Sequence, residues 1–146
     1  MKKLSSMLLA LAVLAVAGCA GEIRPPTVDI TGQWVGRWVA LDHLGPSVAS
    51  TPAPKRSGTI EMTLTQAGSQ YSGNLLVTGY PTTSGPTQGV VSGDQVRVLQ
   101  PTILTGSLTV QGDTMSGHLV LEVWSNVFGT HRGPIAATLT RRSSDQ

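Results

Sequence analysis

Few side chains in this 146-residue chain have the setting for chemistry. Cys19 is its only cysteine and follows Leu14-Ala15-Val16-Ala17-Gly18, so a thiol stands directly behind small residues at the end of an apolar run. Asp42-His43 and His131-Arg132 fall between predicted strands, and two imidazoles with a carboxylate are a set from which a metal site can be built. Their spacing is not that of a ligand set. They read as solvated loop residues, and no metal or other cofactor is expected. His118 is alone on an outward strand position. No nucleophile motif, glycine-rich phosphate loop or paired carboxylates occur, so the chain reads as a non-enzyme.

The segment around Cys19 has an ordered anatomy: Lys2 and Lys3, an apolar stretch to Val16, then Ala17-Gly18 and the thiol. It resembles a bacterial lipoprotein signal, residues 1–18. The resemblance implies acylation of Cys19, which becomes the new N-terminus. A membrane-spanning helix needs about 20 apolar residues, and the run from Leu4 to Gly18 is shorter. An ordinary cleaved signal with an idle cysteine is the bland alternative. Acyl chains hold a protein at a bilayer by about 0.8 kcal/mol per buried methylene. The expected location is the bacterial cell envelope, lipid-anchored, in the outer membrane where two membranes exist.

Loss of the signal removes Lys2 and Lys3 from ten basic residues, leaving eight against eight acidic ones. A neutral chain without a basic stripe gives no reason to expect nucleic acid as a partner. With Cys19 lipidated no thiol remains for a disulfide, so packing alone must hold the fold. Residues 19–30, with Pro25-Pro26, read as a lipidated N-terminus and flexible linker, stiff enough to lift a domain roughly 30 Å from the lipid. Residues 31–142 form one domain and 143–146 a disordered tail.

No helical stripe is present in that domain. Eight short alternating runs are, at 32–41, 57–66, 70–78, 88–92, 95–100, 104–111, 114–124 and 133–141, bounded by Gly, Pro and Asp. Each has one apolar face, for example Ile60, Met62 and Leu64, or Leu119, Leu121 and Val123. The opposite positions carry Arg37, Glu61, Arg97 and other polar residues. Leu64-Thr65, Gly68, Ser72-Gly73 and Leu75 recur 44 residues later as Leu108-Thr109, Gly112, Ser116-Gly117 and Leu119, which predicts two similar hairpins. Gly68-Ser69, Ser92-Gly93-Asp94 and Gly112-Asp113 have tight-turn chemistry. Gly73 and Gly117 sit inside strands, where a missing side chain lets a sheet bend. The fold expected is all-β, an eight-stranded antiparallel up-and-down barrel. The connections at 42–56, 79–87 and 125–132 are the long ones, so one end is closed by short turns and the other carries the large loops.

Gly32-Gln33-Trp34 opening the first strand and Arg141 ending the last resemble the G-x-W motif and closing arginine of the calycin superfamily, which includes the lipocalins. The resemblance implies that Arg141 packs across Trp34 to seal the barrel base, with Gly32, Trp34 and Arg141 as closure residues.

Apolar residues on loops suit contact. Tyr80, Trp124, Val127 and Phe128, with His43 and His131, therefore form the candidate rim, either for a small apolar or amphipathic ligand in the barrel mouth or for an envelope protein bound by the rim of a filled barrel. An integral pore is excluded, because Arg37, Glu61 and Arg97 point outward and the chain end lacks an aromatic girdle residue.

Overall fold

A computed structural model describes residues 23–41, 56–79, 82–100, 103–125 and 129–143. Eight strands follow one another: β1 (Gly32–Ala40), β2 (Ser57–Ala67), β3 (Gln70–Val77), β4 (Thr83–Ser92), β5 (Gln95–Gln100), β6 (Leu104–Gln111), β7 (Thr114–Ser125) and β8 (Gly129–Arg141). Each pairs antiparallel with its sequence neighbours, and β8 returns to β1 to close the barrel. The chain is all-β and up-and-down, as its alternation predicts.

Inward positions fill the core. Trp34, Trp38, Ile60, Leu64, Tyr71, Leu75, Leu108, Met115, Leu119, Ile135 and Leu139 are all buried. Both tryptophan N–H groups keep a partner there: Trp34 Nε1 donates to the Ile30 carbonyl and Trp38 Nε1 to that of Thr78, each at 2.9 Å. A buried indole needs such an acceptor, since an unmade hydrogen bond in the core costs on the order of 1–3 kcal/mol.

The 44-residue echo is structural as well as sequential. Leu64 faces Gly73 in the β2/β3 ladder, and Leu108 faces Gly117 at the matching place in the β6/β7 ladder. A Cβ on Gly73 would run into the Thr63 carbonyl, and one on Gly117 into that of Ser107. Glycine there lets neighbouring strands approach closely at a bend of the curled sheet. Tight turns at Gly68, Gly93 and Gly112, with φ near +60°, close the hairpins at one end.

Three boundaries differ from the sequence reading. β4 begins at Thr83 instead of residue 88, because Pro86 is tolerated inside it. Val91 donates to the Ser69 carbonyl, so alternation turns the amide position of Pro86 away from β3. The β4/β5 ladder stops at Gly89↔Val98, leaving that edge without a ladder partner among the described residues, and a strand edge is where proline's missing N–H does no harm. β7 runs to Ser125 and β8 starts at Gly129, so residues expected in a loop extend the ladder instead. Only the β1/β2 connection is therefore long; the remaining connections at that end, 78–82, 101–103 and 126–128, are short.

The third difference is at the N-terminus. Residues 24–30, within the segment read as linker, are fastened across the base of the barrel, and Ile30 is fully buried beneath it. A single apolar residue ahead of Trp34 carried no periodicity from which this burial could be read.

Candidate functional site

Two places combine unusual geometry with the residues singled out from sequence: the base clasp and the opposite rim. The clasp centres on Arg141. Its guanidinium lies over the Trp34 ring, 4.6 Å from the centroid, a cation–π distance. Nη1 donates to the Thr31 carbonyl at 2.7 Å and Nη2 to that of Asp29, while Nε stands 3.3 Å from Asp113 Oδ1. One planar fork thus ties β8, the N-terminal segment and the β6/β7 turn together. Gly32 belongs to the same place: a Cβ on it would stand 3.8 Å from Arg141 Nη1, with φ at +131°.

Gln66 is a second clasp, missed from sequence. Its Oε1 accepts from the Ile30 amide at 2.9 Å, and its Nε2 donates to the carbonyls of Val28 and Gly68. A lone glutamine at a strand end gives no signal of this. Asp29 accepts from the Thr31 amide through Oδ1. That hydrogen bond, with the Thr31 hydroxyl and the Arg141 charge, holds its carboxyl below the usual carboxylate range.

Inside the barrel, Tyr71 lies over Gly89, whose missing Cβ makes room for the ring. Burial pushes its phenol up to about 12, and its hydroxyl donates to the Arg97 carbonyl at 3.4 Å. Thr87 Oγ1 is buried without a hydrogen-bond partner.

At the rim, β7 and β8 outrun their other neighbours. The last β6/β7 pair is Leu104↔Leu121 and the last β1/β8 pair is Ala40↔Ile135. Four further pairs, from Glu122↔Arg132 to Ser125↔Gly129, continue beyond both. Among the described residues these pairs have no ladder partner on either side, so β7 and β8 continue there as a two-stranded ribbon, with the Glu122 N–H donating to the Ile103 carbonyl at its root. Trp124 is on it, opposite Thr130, and His131 is on it, opposite Val123. His131 was expected in a loop and Trp124 at the last position of its run beside that loop; the longer ladder places both within strands, and backbone register is all that is described for them. Cys19, His43, Tyr80, Val127 and Phe128 lie outside the described residues.

Beside the ribbon root, Val39 is 40% exposed and Leu41 48% exposed on the outer face of β1. Val39 pairs with Ala136, and the Leu41 amide donates to the Pro134 carbonyl. The uninterrupted apolar run Trp38-Val39-Ala40-Leu41 was the available signal, because alternation there would have put a polar residue outward.

No protein-family model matches this chain, and comparison with curated proteins and with solved structures finds no match in either.

Proposed function

We propose that this chain is a lipid-anchored protein of the bacterial cell envelope whose calycin-like barrel binds another envelope protein through its rim, with the β7/β8 ribbon and the exposed Val39 and Leu41 as the contact. The observation that carries this reading is the ribbon. The ladder continues for four pairs past the last described pairs with both neighbouring strands, and Trp124 stands on that extension opposite Thr130.

Packing favours a protein partner over an internal ligand. Interior side chains from Trp34 to Leu139 are no more than 5% exposed among the described residues, so their neighbours are one another. A short eight-stranded barrel is normally filled in this way. The calycin-like reading is supported by the strand order and by Arg141 over Trp34. The anchor is supported by the order of Lys2-Lys3, the apolar stretch and Cys19.

The test is photo-crosslinking in cells from position 124, with position 74 on the β3 outer wall as control. A protein adduct of defined mass from 124 alone, lost on Phe128→Asp, is the expected result. No adduct from 124, together with a lipid co-purifying by native mass spectrometry, would replace this reading with a ligand-carrying barrel. Cys19→Ser should move the protein to the soluble fraction.

A further inference from the structure

We infer that the base of the barrel, the end bearing the three tight turns, lies directly against lipid headgroups and is not held off on a free spacer. The inference rests on the lipid-anchor reading of Cys19 and adds where the barrel sits and which surface meets the bilayer.

The argument is the length of chain left free. From Arg24 onward the N-terminal segment is bonded to the base at successive points. Arg24 N–H donates to Ser92 Oγ and Thr27 N–H to the Gly93 carbonyl, each at 2.9 Å. Gln66 holds Val28 and Ile30, and Arg141 holds Asp29 and Thr31. The segment thereby touches the β4/β5 and β2/β3 turns, and through Arg141 the β6/β7 turn. Only residues 20–23 separate an acylated Cys19 from the first fastened amide. A fully extended chain covers about 3.5 Å per residue, so the base cannot rise more than roughly 15–20 Å above the thioether carbon. The headgroup layer of one leaflet takes up part of that reach.

The chemistry of the base agrees. At the base, exposed Arg24 and Arg142 are matched in number by exposed Asp29 and Asp94, while Asp113 is engaged by Arg141. The surface is therefore close to neutral and meets no strong repulsion from anionic lipid. Ile23, 61% exposed at the point where the chain leaves the base, offers an apolar side chain to the interface. Leu41, at the other end of β1, lies farther from the bilayer by about 20 Å, given the strand rise and barrel tilt.

The experiment uses the acylated protein in phosphatidylethanolamine/phosphatidylglycerol vesicles carrying a headgroup spin label. Cys19 is blocked by its lipid, so Ala67→Cys at the base and Leu41→Cys at the rim each give one fluorophore site. The base label should be quenched several-fold more than the rim label. Inserting a flexible Gly/Ser stretch between Glu22 and Ile23 should reduce that difference. Equal quenching on vesicle-bound protein, or stronger quenching at the rim, overturns the base-down placement and leaves the anchor intact. Protein that stays in the aqueous phase overturns the anchor and this placement together.

Discussion

Arg141 and Trp34 are direct partners in the β1/β8 ladder, and the guanidinium of one covers the indole of the other at 4.6 Å. The same arginine bonds two carbonyls of the N-terminal segment. One side chain therefore serves both the β1/β8 seam and the base. Arg141→Ala should lower stability by about 2–4 kcal/mol, combining a partly desolvated cation–π contact with charge-assisted hydrogen bonds. Arg141→Lys keeps the charge but loses the fork, so its urea midpoint should fall between alanine and wild type.

Ile30 shows whether the N-terminal segment belongs to the core. Ile30→Ala should cost about 2–4 kcal/mol, as for a buried aliphatic truncation, and should expose the amides of Arg24 and Thr27 to faster hydrogen exchange. Ile23→Ala, at an exposed position, should stay within about 0.5 kcal/mol of wild type. Equal effects of the two changes would mean that residues 23–31 add nothing to the fold.

Gly73→Ala places a methyl group against the Thr63 carbonyl and must separate β2 from β3. A loss of about 2–4 kcal/mol is expected, measurable by thermal unfolding. Gly117→Ala, at the equivalent register, should behave alike.

Tyr71 gives the barrel an alkaline limit. Its folded value is raised to about 12 from 10.0, so the native state holds its proton where the unfolded chain has lost it. Stability from this group is complete below pH 10 and falls as pH rises from 10 toward 12, by roughly 2–3 kcal/mol. Tyr71→Phe should flatten that decline in urea melts taken across the range.

Asp29 acts at the acid end with the opposite sign. Its folded value is lowered from 3.8, so its contribution is present above the unfolded value and is lost as pH falls through the folded one. Asp29→Ala should remove part of the acid sensitivity below about pH 4, read as the slope of melting temperature against pH.

Period-two alternation made the barrel legible, because each inward set from Ile60-Met62-Leu64 to Ile135-Ala137-Leu139 had to share one interior. The repeat around Leu64 and Leu108 gave two hairpins their register. What escaped depended on contacts remote in sequence. Gln66 and Ile30 are ordinary residues until the base brings them together, and Pro86 argued against a strand because the open edge beside it could not be foreseen. The ribbon was hidden for a different reason: Ser125, Asn126 and Gly129 suggest a loop, while the pairing that extends the strands belongs to β7 and β8 jointly. Val39 and Leu41 were visible in the apolar run but were absorbed into a single-faced strand.

The clasp joins Thr31 to a residue 110 positions later, and β1 finds its second neighbour only in β8. A ribosome must therefore release the chain as far as Arg141 before the first strand can complete its pairing, and contacts so distant along the chain slow folding. Until then Trp34 has its β2 partner, Met62, but not Arg141, which is both its β8 partner and its covering cation. Synthesised in this order, the barrel stays open until β8 is available.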